Sequence, residues 1–348
     1  MSRTIYITSL LLATLSTQAN ELTTTLRLIP EYHQSNQGSH SRQELETHYQ
    51  KGGFNFLATG ITDTKYDNEI ILNELYYDTL IANQEISFGK KIMSWGIGYG
   101  YRPLDVLEQE DRRLLYSPTL EGVPLIAWDY FSQEGSAFTL AYVNPLSRKD
   151  NDRLDQQSLA FKYYKLWDNT DIHAVARLSK HNKLETGIGF SHIINDNLQW
   201  YSSALYQHRY HKHLTASPLK FNNGINAILG LNWTHTNGTS LSGEFWFDNA
   251  AYSNNSQRLP NIGANLRQQN LLLRLSHDGD IVDTALDWLY TPQDDGWTLT
   301  ASIKHERNQQ NLELGVRTFG GSADSAFRAG LDDFVVYLAW EIAFVLGK

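Results

Sequence analysis

The chain has 348 residues, 41% of them hydrophobic, with a mean hydropathy of −0.42 and a net charge of −9. Polarity of this degree excludes a bundle of membrane helices, and the acidic balance argues against a nucleic-acid partner. The chain contains no cysteine, which removes disulfides, thiolate metal sites and a Cys nucleophile.

Residues 1–19 read as a secretory signal. Arg3 supplies a positive start, Ile5 to Leu15 an apolar stretch, and Thr17-Gln18-Ala19 the small residues of a cleavage site. Residues 20–348 then form one domain. From Leu22 onward, runs of roughly ten residues alternate in polarity and end at turns, and no run carries a 3.6-residue apolar period. Leu26 and Leu28 alternate with Arg27 and Ile29; Leu45 and Tyr49 alternate with Glu44, Glu46 and His48; Gly52-Gly53 leads by a turn into Phe54, Phe56 and Ala58.

Later runs are cleaner. Ile225, Ala227, Leu229, Leu231 and Trp233 oppose Asn226, Asn232 and Thr234, and Leu271, Leu273 and Leu275 oppose Asn270, Arg274 and Ser276. In the last run, Phe334, Val336, Leu338, Trp340, Ile342, Phe344 and Leu346 share one parity with Glu341 on the other. Long, uninterrupted apolar faces opposite polar ones fit strands with lipid outside and water inside. The expected fold is an all-β transmembrane antiparallel barrel of about 16–18 strands in a bacterial outer membrane. The count is 18 if Gly52-Gly53 is a turn, and 16 if residues 43–61 form one strand and the first run lies outside the wall. The last run is expected to pair with the first near Leu22 to Tyr32, because an open edge in a bilayer leaves backbone groups unsatisfied. Short turns alternate with long links, which places the long links at one end, as in outer-membrane barrels with tight periplasmic turns. Lipid contacts the outside of such a barrel, and the outer-membrane assembly machinery inserts it.

The longest link, Ser94 to Gly122, is punctuated by glycine and dense in charge: Arg102, Asp105, Glu108, Glu110, Asp111, Arg112, Arg113 and Glu121. A loop without a core of its own persists by folding back into the lumen, where its charges find partners. The expectation is an inward loop that narrows the pore, with Arg102, Arg112 and Arg113 facing acidic groups across a constriction. Lumen-parity charges of both signs, among them Arg177, Glu244, Arg274, Asp283, Asp287, Lys304, Glu313, Arg317 and Glu341, argue against strong anion or cation selectivity. Such charges also pair across strands and hold up the wall. The function that follows is passive diffusion of small polar or charged solutes, without cofactor or metal.

The segment FGKKIMSWGIGYGYRPLDV and the following DRRLLYSPTLEGVPLIAWDYF resemble porin-like outer-membrane families. In those families a strand ending G-[RK] leads into W-G-x-G, then P-x-D, then an R…E-G-x-P segment. The matching positions are Gly89, Lys90, Trp95, Gly96, Gly98, Pro103, Asp105, Arg112 or Arg113, Glu121, Gly122 and Pro124, with Asn73-Glu74-Leu75-Tyr76 one strand earlier. The resemblance covers about 60 residues and implies an outer-membrane channel or exporter without naming a solute. A second resemblance implies an alternative. His33-Gln34-Ser35-Asn36 is similar to the H-Q-S-N-G segment of outer-membrane phospholipase A, in which a His and a Ser two residues apart act as base and nucleophile. Here Gln37 precedes Gly38, and Glu46, Thr47 and His48 stand where an orienting Asn belongs. A structural barrel with an occluded lumen is a further alternative. His208, His211 and His213 cluster at one outer loop without a carboxylate or Cys partner.

Overall fold

The computed structural model describes residues 21–33, 40–64, 68–82, 84–107, 120–146, 157–180, 182–208, 210–212, 219–221, 223–249, 267–307, 309–322, 325, 327–328 and 334–346. The signal reading of residues 1–19 and positions Ser35, Glu108, Asp111, Arg112, Arg113 and His213 lie outside them.

The strands in chain order are β1 (Glu21–His33), β2 (His40–Lys51), β3 (Phe54–Asp63), β4 (Glu69–Ile81), β5 (Gln84–Lys91), β6 (Val123–Phe131) and β7 (Ser136–Val143). They continue with β8 (Ser158–Trp167), β9 (Thr170–Ser179), β10 (Lys183–Asn195), β11 (Leu198–Gln207), β12 (Tyr210–Lys212), β13 (Leu219–Phe221) and β14 (Gly224–Thr234). The last six are β15 (Thr239–Asn249), β16 (Arg267–His277), β17 (Asp283–Thr291), β18 (Gly296–Arg307), β19 (Gln310–Gly320) and β20 (Phe334–Leu346). Eighteen of these form one antiparallel sheet, while β12 and β13 pair only with each other within the link between β11 and β14. The wall closes where β1 meets β20, in a register running from Leu22↔Leu346 to His33↔Val335. The closure at the expected segment follows from the bilayer's intolerance of a bare edge. Gly52-Gly53 is the β2–β3 turn, so the 16-strand alternative is excluded: Glu44 and Ile61 lie opposite each other instead of along one strand.

Burial is inverted relative to a water-soluble protein. Leu229, Leu231, Phe245, Leu273, Leu314 and Trp340 are exposed, whereas Asn226, Glu244, Asp248, Asn270 and Thr300 are buried. An outer surface of large apolar side chains around a polar interior satisfies lipid outside and water inside. Two inward tyrosines lie flat against the wall because the neighbouring strand offers glycine. A Cβ at Gly230 would stand 2.2 Å from the Tyr201 ring, and one at Gly315 would stand 2.2 Å from the Tyr337 ring. Each hydroxyl then reaches a carboxylate, Tyr201 donating to Glu244 and Tyr337 to Glu313 at 2.7 Å.

The alternation breaks in β10 between Ile193 and Asn195 and, with more consequence, in β4. A bulge in β4 opposite Leu57 and Ala58 brings Asn73, like Glu74, to the inner side. That departure fixes the longest link of the barrel.

Candidate functional site

The link between β5 and β6 starts at Ile92 and returns at Gly122, and both stems are held by the β4 bulge. The Ile92 N–H donates to Glu74 Oε1 at 2.8 Å, Asn73 Nδ2 donates to the Leu120 carbonyl at 2.5 Å, and the Gly122 N–H donates to the Asn73 carbonyl at 2.9 Å. Asn73 is buried and also accepts the Thr59 hydroxyl at 2.9 Å. Between the stems, residues 92–107 pack against the inner wall. Trp95, Leu104, Val106 and Leu107 are buried together with Val123, Leu125 and Ala127 of β6, Ala141 and Val143 of β7, Ala160 of β8, Val175 of β9 and Leu205 of β11. Each fully buried Leu or Val contributes about 1.5–3 kcal/mol, so this segment has an apolar core of its own against the barrel.

Polar contacts fix its shape. Asp105 is buried and accepts the Ser94 hydroxyl at 3.0 Å, the Trp95 N–H, and the Gly96 N–H at 2.5 Å. Burial pushes its carboxyl above the usual carboxylate range, against the lowering pull of those three donors and of the Arg102 guanidinium. Arg102 donates to the Gly98 carbonyl at 3.1 Å and to Ser94 Oγ at 3.0 Å. Gly98 has φ of +131°, and a Cβ there would stand 2.0 Å from the Tyr101 carbonyl oxygen, so the bend requires glycine.

The tip of the segment reaches β15, separated from β11 by β14 alone. Glu244 of β15, 1% exposed, accepts the Tyr99 N–H, the Gly100 N–H at 2.6 Å and the Tyr201 hydroxyl. Tyr101 stacks on Trp246 with ring centroids 5.8 Å apart, and the Arg274 guanidinium lies 5.3 Å from the Tyr99 ring centre. On the near wall, Arg177 donates to the Val106 carbonyl at 2.8 Å and to Ser158 Oγ at 2.9 Å, with Glu185 3.6 Å away.

The segment lies on the apolar side of the interior, and the remaining space is polar. A cavity of about 790 Å³ runs from Tyr99 and Gly100 toward the short-turn end. It is lined by Arg274, Asp283, Asp287, Lys304, Glu313, Arg317 and Tyr337 together with Ser and Thr side chains of β15–β18. Arg274 pairs with Asp287 at 2.9 Å, Lys304 with Glu306, and Arg317 donates to Thr300 Oγ1 at 2.7 Å.

The sequence-derived residues therefore separate into groups. Arg274, Asp283, Asp287, Lys304, Glu313 and Arg317 share the cavity. Arg177 and Glu244 are buried where they hold the inner segment. Glu341 lies at the closing seam, where it accepts Arg27 Nε at 2.6 Å, with Glu46 3.3 Å from the same arginine. Arg102 donates to Gly98 and Ser94 of its own loop, and Asp105 accepts from Ser94, Trp95 and Gly96. Glu121 lies away from the interior: it is 61% exposed and pairs with Lys90, whose strand neighbours Leu75 and Pro124 face outward. His33 ends β1 opposite Val335, and the described residues hold no group of three potential metal ligands.

The resemblance marked Asn73 and Glu74 but not their role as a clamp on the link, and sequence reasoning did not single out Tyr201 or the apolar inner wall. A signal for the wall was present, because VPLIAWDYF of β6 is apolar on both parities. A strand with lipid on one side and water on the other has no use for that, whereas a strand covered on its inner face does.

No protein-family model matches the chain, and no curated protein matches it. Solved structures match along nearly the whole length. OccK3 (OpdO) of Pseudomonas aeruginosa has a TM-score of 0.59 at 12% identity, over 94% of this chain and 96% of that one. OccAB1 of Acinetobacter baumannii has 0.63 at 9% identity, over 94% and 96%. Wzi of Escherichia coli, described as an outer-membrane protein involved in group 1 capsule assembly and a carbohydrate-binding β-barrel, has 0.60 at 11% identity, over 94% and 85%. Identities this low speak for the fold. Together with the inverted burial and the closed wall, they establish that the chain is an 18-stranded outer-membrane β-barrel.

Proposed function

We infer that the barrel is a passive, porin-like channel for small polar or charged solutes, narrowed by the inward link between β5 and β6. The observation that carries this reading is the division of the interior. Residues 92–107 cover the apolar wall of β6–β11 and leave a cavity of about 790 Å³ lined by polar and charged groups. Arg274, Lys304 and Arg317 stand there beside Asp283, Asp287 and Glu313. A path with both signs at close quarters favours solutes that offer several polar groups over any one ionic charge. The link remains in the lumen because it has an apolar core, a stem clamp and two wall anchors, so the narrowing belongs to the folded state.

Purified protein in a planar bilayer is expected to give discrete conductance steps with a reversal potential near zero in a potassium chloride gradient. Deletion of residues 97–119 raises the step size. A barrel without steps, or a deletion that leaves the step unchanged, overturns the reading. The first result indicates an occluded structural barrel, and the second a path that avoids the link.

A further inference from the structure

The outward face of β8–β11 is not a uniform apolar surface. Trp167, Thr170, Ile172, Ile188, Phe190 and Ala204 line an open groove of about 440 Å³. Ala204 and Ser202 are the small side chains that line it, and Ala174, Ile188 and Ala204 follow one another across β9, β10 and β11. Large ones make its edge, where Phe190 packs edge-on against Trp200 at 4.6 Å. Ser202 turns its hydroxyl to the Ile228 carbonyl at 2.8 Å, which leaves the floor apolar.

The groove begins beside the Asp168–Asn169 turn, at the short-turn end of the barrel, and rises from Thr170 to the level of Ala174. Four residues at 3.3 Å each give about 13 Å, half of an apolar band about 25 Å tall. It therefore serves one leaflet, the periplasmic one. Its mouth is polar, with the Thr170 hydroxyl 2.8 Å from His192 Nδ1. Beside the mouth stands Lys165, the cross-strand partner of groove-lining Ile172, its ammonium 3.2 Å from the Glu134 carbonyl. Among the outward positions of β6–β11, Lys165 is the one Asp, Glu, Lys or Arg. A single cation at headgroup level above a one-leaflet apolar groove matches a phosphate attached to an acyl chain.

We propose that the groove on β8–β11 is a binding site for a phospholipid of the periplasmic leaflet, with an acyl chain along Ile172, Ile188 and Ala204 and the phosphate beside Lys165. This site is independent of whether the lumen conducts.

The absence of cysteine permits a direct test on the full chain. Ala204→Cys places a label in the groove, and Ala227→Cys places one at the same depth one strand outside it, because these residues are direct cross-strand partners. Each variant is labelled with bimane, reconstituted in vesicles of a galactolipid host that carries no phosphate, and titrated with dibrominated phosphatidylethanolamine and, separately, with dibrominated diacylglycerol. Quenching by the phospholipid is expected at about fivefold lower mole fraction at position 204 than at 227, the effect of about one lysine at a membrane surface. Diacylglycerol is expected to show no such preference, and Lys165→Gln to abolish the preference for the phospholipid. Equal quenching at the two positions, or a preference that survives Lys165→Gln, overturns the proposal. So does a groove shielded from both lipids in which the unlabelled Ala204→Cys variant crosslinks barrel to barrel, a result that assigns the face to a second copy.

Discussion

Replacing Glu244 with alanine tests the division of the interior where the inner segment meets β15. The carboxylate is 1% exposed and accepts three hydrogen bonds, two from the backbone of the inner segment and one from Tyr201. A hydrogen bond to an ionised group contributes about 1.5–3 kcal/mol. The Tyr99 and Gly100 N–H groups recover water when the tip detaches, so the low end applies, and the two bonds together hold the tip by about 3 kcal/mol. The rest of the segment remains anchored, because Trp95, Leu104 and Val106 stay in the apolar cluster and Arg177 still binds the Val106 carbonyl. Glu244→Ala should therefore free residues 99–101 without unfolding the barrel. In single-channel recordings this appears as greater open-channel noise and a larger mean step. Glu244→Gln, with one acceptor oxygen left, should fall between Ala and wild type. Tyr201→Phe removes a single bond to the same carboxylate and costs about 1.5–3 kcal/mol with little change in noise. Unaltered step size and noise in Glu244→Ala, with a wild-type melting curve, would refute the argument that this carboxylate positions the tip.

Asn73→Ala removes the side-chain bonds to the Leu120 carbonyl and to Thr59 and should cost about 1–3 kcal/mol; it is read as faster protease cleavage within residues 92–122 of the folded barrel. Gly315→Ala places a methyl group 2.2 Å from the Tyr337 ring and should lift the ring off Glu313 into the cavity. The expected outcome is a smaller conductance step and a loss of about 1–3 kcal/mol, measured by bilayer recording and urea titration. Trp340 is outward, between Leu28 and Leu312 on the two strands that flank β20; Trp340→Arg should cost about 2–4 kcal/mol in folding titrations into liposomes. Asp105 titrates above its ordinary value of 3.8 because burial dominates. Its contribution to stability is therefore full below that value and is lost as pH rises through the raised one; Asp105→Asn should flatten this part of the melting temperature against pH.

The sequence alone was enough for the alternating runs, their lipid faces and the closure, while the choice between 16 and 18 strands fell to the pairing of β2 with β3. Alternation with a period of two is a local property, and an uninterrupted apolar face such as that of β20 has one consistent environment. The end at which long links gather was legible for the same reason, since turn chemistry at Gly52-Gly53 or Asn237-Gly238 is local. Parity names the face of a residue but neither its depth nor its neighbour several strands away. Thus Glu244, Arg177 and Arg274 all read as lumen charges, yet two of them hold the inner segment and one lines the cavity. Arg27 and Glu341 stand 314 residues apart, and only closure of the wall brings them together. At Asn73 parity itself misleads, because a bulge turns the residue inward and makes it the clamp of a distant loop. The course of that loop was also beyond local reading: it follows the apolar inner wall of β6–β11, which exists only when five separate strands set their small and branched side chains side by side.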